Sequence, residues 1–406
     1  MGVTETIAGL VGFDRRGPGT DAERQAADWL AGELRSGGAD VRLEPFWSRP
    51  NWALAHTWHA ALGLAGGLVS VSSPAVGGTI VLIALLSLIA DVFTGQSLGR
   101  RLTFERASQN VVARGDDQDD RVRLIITANC DAGRMGLIYR DRVRALAARM
   151  KSATGGLAPG WVAWVAVSLA ALLVVAIVRN GGTKGAGIGI IQLIPTVALV
   201  LAIALLLEHA GSAVGPAASD NAGGVAAAVA LFRALDAAPP SRLAVELVLQ
   251  GAADASAIGL RRHLRARRGT RGPTNTVVLG IAACGAGTPR WWTSDGALLP
   301  MRFHARLRAL CEQVAADEAH LGAAPYRGRG TSPALPGRIA GIPSITIGCL
   351  DERGLPPRSH LPTDTPERID QQALEATLTL ALALVDAIDA DLPREGQAAP
   401  AAAAGV

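Results

Sequence analysis

The sequence is poor in aromatic residues and in cysteine, and each shortage argues against a class of protein. Aromatic residues make up 4% of the 406 positions although 49% are hydrophobic, so aliphatic residues supply most of the apolar content. The four cysteines, Cys130, Cys284, Cys311 and Cys349, are far apart and form no C-x-x-C pair. This spacing argues against a disulfide framework and a cysteine zinc site, and it is compatible with reduced thiols on a cytosolic face.

Acidic residues are slightly fewer than basic residues, but the sequence has no known nucleic-acid-binding motif. The net charge is +4 and the pI is near 9.2. The arginines that stand closest together have no interleaved aromatic residues, and they are Arg261, Arg262, Arg265, Arg267 and Arg268. This pattern predicts a solvated helix face and no nucleic-acid partner.

The opening segment lacks a basic start followed by an apolar stretch and a small-residue cleavage site. We therefore expect no cleavable signal peptide, and any membrane targeting must come from internal segments.

Charge is nearly absent from four long apolar stretches, of which the last two are each about long enough to cross a bilayer. They run from Trp52 to about Ser72, from about Thr79 to Phe93, from Trp161 to Val178 and from about Ala186 to Leu207. The stretches predict two transmembrane helical hairpins, residues 51–95 and 159–208, the first with a tight connection at Pro74, Gly77 and Gly78. The alternative is that they are buried core helices of a large soluble protein.

The basic residues that flank these stretches predict an orientation. Arg100 and Arg101 follow the first hairpin and a basic segment precedes the second, whereas the loop inside the second hairpin holds Arg179 and Lys184. By the positive-inside rule, we expect an integral protein of a bacterial-type plasma membrane, with the lipid bilayer as partner and the soluble portion in the cytoplasm.

Outside the hairpins, short apolar runs alternate with helical stretches. A capped helix and a strand come first, followed by the runs VRLIITA, LAVELVLQ, NTVVLGIA and IPSITIG. This alternation predicts one α/β domain with a mostly parallel sheet, formed by residues 1–50, 96–158 and 209–392. The alanine-rich tail, residues 393–406, is predicted to be disordered.

Polar residues fall at the ends of these predicted strands, where sites form in open α/β sheets. Asn129 and Asp131 end one strand, Asp254 ends another, Asp220 opens a helix, and His360 follows the last strand. Carboxylate and imidazole groups are ligands that suit zinc.

Several motifs resemble metallopeptidase family twenty-eight, the zinc-dependent aminopeptidases and carboxypeptidases, over nearly all of the chain outside the hairpins. They are GPGTDAERQAADWLAGELRSGGADVRLEPF, SQNVVAR, SDNAGGVAAAVALFRAL, and GIPSITIG followed by SHLPTDTPERID. The resemblance implies a zinc-exopeptidase fold in which Asp220 takes the place of the aspartate that bridges two zinc ions, and His360 that of a late histidine ligand.

The sequence departs from the family pattern at the metal ligands and the general base. The His-x-Asp motif appears as Asn129-Cys130-Asp131, and the paired glutamates appear as Ala253-Asp254. Ala282 stands where a late aspartate is expected. The resemblance then implies that one zinc position is empty.

The other position keeps a carboxylate–carboxylate–imidazole set, Asp220, Asp254 and His360. The expected cofactor is therefore one zinc ion or none.

Ala253 cannot take a proton from water, and losing a general base costs on the order of a hundredfold to ten-thousandfold in rate. We therefore expect a catalytically impaired protein that binds a peptide, a protein or a small amine-bearing ligand in the old cleft. Two alternatives stay open: a working single-zinc exopeptidase, and a membrane scaffold or transport component that uses His56, His59 and Asp91.

Overall fold

A computed structural model describes residues 2–115, 121–154, 158, 160–267 and 275–392. The tail that was predicted to be disordered, and Arg268, lie outside the described residues.

The elements follow one another in the order that the α/β pattern predicts, with two helical insertions. The strands are β1 (Asp40–Ser48), β2 (Arg106–Arg114), β3 (Val122–Asn129), β4 (Leu243–Gln250), β5 (Thr276–Ile281), β6 (Thr288–Asp295), β7 (Met301–Arg302), β8 (Ala324–Arg327) and β9 (Ser344–Leu350). The helices are α1 (Val3–Val11), α2 (Asp21–Ser36), α3 (Trp52–Val69), α4 (Pro74–Thr94), α5 (Leu98–Arg101), α6 (Asp141–Ala153), α7 (Trp161–Asn180), α8 (Ala186–Gly211), α9 (Gly224–Ala237), α10 (Ile258–Ala266), α11 (Ala305–Asp317), α12 (Leu335–Ile339) and α13 (Gln371–Asp391).

The strands form one mixed sheet in the order β1-β2-β4-β3-β5-β9-β6-β7, with β8 beside β6. The centre, β4-β3-β5-β9, is parallel, as the apolar runs predict. The sheet as a whole has four parallel and four antiparallel pairings, so the prediction of a mostly parallel sheet holds only for its centre. The antiparallel pair β1–β2 was hard to foresee because the first helical insertion separates its two strands in sequence.

Burial explains why the central strands are continuous apolar runs. Every residue of β5 and of β9 is buried, as is β3 from Leu124 onward, because helices such as α9 and α13 pack on the sheet. A strand covered on both faces has no polar face, so its sequence does not alternate.

The two insertions pack together as one four-helix bundle. Contacts join α3 to α4 and α8, and α7 to α4 and α8, around a core that includes Val81, Leu88, Leu169 and Leu199. Three of the helices, α4, α7 and α8, are long and apolar enough to cross a membrane. The fourth, α3, has 18 residues but carries two histidines and two tryptophans, which lower its hydropathy.

The first hairpin turns earlier than predicted. Proline starts α4 at its first position, so Gly77 lies inside the helix and not in the connection. A Cβ at Gly77 would lie 2.3 Å from the Ser70 main-chain nitrogen. Gly77 therefore allows close packing of α3 on α4, and so does Gly66, which faces it. Gly78 lies in α4 as well.

The prediction of a solvated arginine face on α10 is wrong for Arg261. This side chain is 8% exposed, and its guanidinium donates to the carbonyl oxygens of Val92 at 2.9 Å and Phe93 at 2.6 Å. The C-terminal carbonyls of a helix have no partner within the helix, and a guanidinium satisfies them well. The sequence concealed this role because α4 and α10 are far apart along the chain.

Candidate active site

The polar residues singled out from the sequence gather at one edge of the sheet. The neighbouring strands β3, β4 and β5 are parallel, so their carboxyl ends bring together the segments that carry Asp131, Asp254 and Ala282. Asp220 lies in a wide turn, Ala218–Gly223, directly before α9. Asp254 is close enough to Asp220 and His360 for their charges to shift its pKa.

Asp131 is a structural centre of this edge. Its side chain is fully buried, and one carboxylate oxygen accepts hydrogen bonds from the main-chain nitrogens of Ala253 at 2.9 Å and Asp254 at 2.8 Å. Burial and the nearby Glu23 and Asp254 raise the pKa of Asp131 well above its usual range. The residue thus holds the turn after β4 in place.

A buried basic residue balances the acids behind this turn. Arg16 is 1% exposed and donates to the Cys130 carbonyl oxygen at 2.8 Å, which places its charge near Asp131 and Glu23. Glu23 accepts from the main-chain nitrogens of Ala252 at 2.5 Å and Gly19 at 2.6 Å. Burial nevertheless raises the pKa of Glu23 to about 7.

The loop after β9 closes over Asp220. The Ser359 hydroxyl donates to an Asp220 carboxylate oxygen, and Asp364 accepts from the main-chain nitrogens of Ser219 at 2.9 Å and Asp220 at 3.1 Å. Burial raises the pKa of Asp364 to about 6, although these main-chain donors oppose the shift. Arg144 fixes the same loop through the Ser359 carbonyl oxygen at 3.0 Å.

His360 is held on two sides. Its Nδ1 lies 2.8 Å from the Arg134 carbonyl oxygen, a contact that requires a proton on Nδ1 and leaves Nε2 as the acceptor. The Tyr139 ring stacks on the imidazole with centroids 3.9 Å apart and planes 10° apart. One face of the imidazole is therefore covered by protein.

Asp254 is bordered by residues from the inserted helices. Burial raises the pKa of Asp254, although the nearby His360, Trp52 and Arg134 side chains favour its ionised form. Trp52 also packs on the His209 ring, with centroids 5.0 Å apart. A cavity of about 70 Å³ remains beside Asp254, lined in part by Trp52, His209 and Arg134.

The positions that depart from the family pattern contribute little polarity. Ala253 is fully buried and Ala282 is half-buried, and neither methyl group can bind a proton or a metal. Asn129 ends β3, and its side-chain oxygen is buried without a hydrogen-bond partner among the described residues. The edge thus has an amide and two methyl groups where the family pattern has metal ligands and a base.

The residues that remain do not fit a zinc site in this arrangement. Within the described ranges, no three His, Cys, Asp or Glu side chains are placed to hold a metal ion together. The Asp220 carboxylate accepts a hydrogen bond from the Ser359 hydroxyl instead. The assignment of Asp220, Asp254 and His360 as zinc ligands stays a prediction, and this geometry gives it no support.

Several residues of the edge were not foreseen from the sequence. Ser359 and Asp364 lie in the segment that carries His360, so their proximity to it was a usable signal. No sequence signal marked Trp52, Tyr139 and His209, because only the packing of α3 and α8 on the domain brings these three side chains together at the edge.

Comparisons with known proteins agree with this architecture. Residues 204–385 match the family model described as Peptidase family M28. A leucine aminopeptidase precursor from Bacteroides thetaiotaomicron is similar in structure, with a TM-score of 0.55, 14% identity and 95% coverage of both chains.

A glutaminyl cyclase from the same organism has a TM-score of 0.54 at 14% identity, covering 95% of this chain and 96% of that one. A zinc aminopeptidase from Bacillus subtilis has a TM-score of 0.54 at 14% identity, covering 94% and 93%. At these identities the likeness to solved structures concerns the fold alone. No curated protein matches the chain.

Proposed function

Because this chain carries a metallopeptidase-like domain of peptidase family M28, we propose that it is a membrane-anchored, catalytically inactive exopeptidase homologue. Its remnant cleft binds a peptide or a small amine-bearing ligand.

The observation that carries the proposal is the state of the acidic residues in the cleft. Asp131 accepts from two main-chain nitrogens, Asp220 accepts from Ser359, and burial raises the pKa of Asp254. Ala253 stands beside them in the position of a general base. Hydrolysis needs a group that takes a proton from water, and Asp131 and Asp220 instead accept hydrogen bonds that hold the structure.

Anchoring in a membrane is supported by the outer surface of the bundle. On α8, Ile190, Ile194 and Leu201 are 65%, 72% and 59% exposed. Exposed apolar surface of this extent is unfavourable in water and favourable in hydrocarbon. The orientation with the domain in the cytoplasm rests on the flanking arginines.

The ligand class follows from the charge and size of the cleft. Asp220 lies close to Asp254, and burial together with repulsion from Asp220 disfavours ionisation of Asp254. An ammonium group between them would relieve that repulsion. The cavity beside Asp254, about 70 Å³, suits the end of a ligand and not a whole peptide.

The proposal is tested with detergent-purified full-length chain. We expect zinc well below one equivalent by elemental mass spectrometry, no release of chromogenic amine from aminoacyl substrates, and a raised unfolding temperature with dipeptides or simple amines. Asp254→Asn should remove that rise, whereas the exposed Asp14→Asn should not. Zinc-dependent turnover by the native chain would overturn the proposal.

A single-zinc exopeptidase is the second candidate, and one observation favours it. The Arg134 carbonyl oxygen fixes Nδ1 of His360 and leaves Nε2 free to act as a ligand, an arrangement common in metal sites. About one zinc per chain, lost in His360→Ala, would favour this candidate over the first.

A transport role is the third candidate, favoured by a buried polar chain in the bundle. His56 and His59 share an Nδ1–Nδ1 contact of 3.2 Å, and Asp91 lies 3.6 Å from His56. Ionisable residues at such depth often mark ion pathways. Loss of a cellular phenotype in His56→Gln, with ligand binding intact, would favour this candidate.

A further inference from the structure

A basic pocket lies where the first helical hairpin meets the domain. We call it the junction pocket, and its volume is about 250 Å³. It is lined by six arginines, Arg49, Arg100, Arg101, Arg261, Arg262 and Arg265. The acidic residue among its described lining side chains is Glu105.

Most of the hydrogen bonds that these guanidinium groups donate go to neutral groups. Arg261 donates to the carbonyl oxygens of Val92 and Phe93, and Arg262 donates to that of Trp47 at 3.0 Å. A carbonyl oxygen satisfies a guanidinium hydrogen but leaves its positive charge in place.

Acidic partners are fewer than arginines here. Arg100 pairs with Asp91 at 2.6 Å, and Arg49 lies 3.9 Å from Glu105. The Arg101 side chain is exposed and has no hydrogen bond or ion pair recorded within the described ranges. The pocket therefore keeps an excess of positive charge that suits an anion.

The position of the pocket identifies the source of the anion. Its wall includes Thr94 and Gly95, where α4 ends, so the pocket lies at the level where the hydrocarbon of a bilayer would end. Trp47, which is 63% exposed, lines the pocket, and the exposed Leu102 (61%) and Phe104 (79%) lie next in sequence to the lining residues Arg101 and Glu105. Apolar and aromatic side chains next to basic ones are typical of a protein surface in contact with lipid headgroups.

We propose that the junction pocket binds the phosphate headgroup of an anionic phospholipid of the inner leaflet. The guanidiniums hold the phosphate, and Trp47, Leu102 and Phe104 contact the first carbons of the acyl chains. Two of these arginines, Arg261 and Arg265, also cap the end of α4, so a bound phosphate favours the docked position of the hairpin on the domain. This inference rests on the proposed membrane anchoring.

The test compares lipids on the full-length chain by native mass spectrometry after delipidation. Phosphatidylglycerol should bind at least about fivefold more tightly than phosphatidylcholine, since each basic residue near an anionic surface contributes about fivefold. The double variant Arg101→Gln/Arg262→Gln should lose most of this preference. Arg302→Gln/Arg353→Gln removes the same charge from exposed positions outside the pocket and should retain it.

Three results would overturn the inference. They are equal binding of the two lipids by the native chain, equal losses in the two double variants, and displacement of phosphatidylglycerol by millimolar inorganic phosphate. The last would assign the pocket to a soluble phosphate.

Alkaline carbonate extraction of membranes separates this inference from the anchoring on which it rests. Release of the chain would refute the anchoring itself. Retention in the membrane without a lipid preference would refute the junction pocket alone.

Discussion

The cleft and the junction pocket differ in the sign of their charged side chains and in the groups that these side chains contact. In the cleft, acidic residues crowd together, burial raises the pKa of Asp131 and Asp254, and one Asp131 oxygen accepts two main-chain hydrogen bonds. In the junction pocket, arginines hold carbonyl oxygens and keep their charge. In the cleft, acidic oxygens therefore hold main-chain groups, whereas the junction pocket keeps an excess of positive charge that a ligand can neutralise.

The largest effect should come from removing the central acid of the cleft. Asp131→Ala leaves the buried main-chain nitrogens of Ala253 and Asp254 without an acceptor, and should lower the free energy of unfolding by about 3–5 kcal/mol. Thermal unfolding in detergent measures it, with the exposed Asp14→Ala as control, expected to stay within about 0.5 kcal/mol. Equal stabilities would mean that Asp131 is kept for a ligand and not for the fold.

The pH dependence of the free energy of unfolding should reveal the contribution of Glu23, the buried acid behind the cleft. The pKa of Glu23 is raised from 4.5 to about 7, so the folded state binds this proton more tightly than the unfolded state. Its contribution is fully present below pH 4.5 and is lost as the pH rises through 7. We expect Glu23→Gln to lack this part of the decline.

The measurement is the difference in unfolding temperature between the native chain and Glu23→Gln from pH 4.5 to 8. The unfolding temperature of the native chain should fall relative to that of the variant as the pH rises. The exposed Glu375→Gln should give a difference that does not change with pH. A constant difference for Glu23→Gln would show that Glu23 titrates normally.

Substitutions of two arginines in the junction pocket distinguish a role in capping α4 from a role that depends only on positive charge. Arg261→Met removes the contacts with the C-terminal carbonyls of α4 and should cost about 2 kcal/mol. Arg101→Gln changes the charge equally but breaks no recorded side-chain contact, so it should stay within about 0.5 kcal/mol. Equal losses would mean that both arginines serve only the fold.

The sequence predicts the centre of the fold well because buried strands are continuous apolar runs. The runs that became β3, β4, β5 and β9 were recognised on that ground, and so was the second pair of apolar helices. The edges of the sheet were not, because the pairing of β1 with β2 spans the first insertion.

The residues of the candidate site also fall into those that the sequence predicted and those that it did not. Asp131, Asp220 and Asp254 were found because strand ends and a helix start mark them in sequence. Trp52 and His209 were missed because they begin one apolar helix and nearly end another, and only long-range packing brings them to the cleft. Apolar periodicity carries no information about which helix end docks on which loop.

The smallest effect should test whether a hydroxyl has taken the place of a ligand in the cleft. Ser359→Ala removes the hydroxyl donor to the Asp220 carboxylate and should cost about 1 kcal/mol, with the exposed Ser36→Ala as a nearly neutral control. We expect no zinc in Ser359→Ala by elemental mass spectrometry, because within the described ranges no three His, Cys, Asp or Glu side chains are placed to hold a metal ion together. Stoichiometric zinc in the variant alone would mean that Ser359 was the remaining obstacle, and that the loss of metal binding rests on the loop after β9 and not on the strand ends.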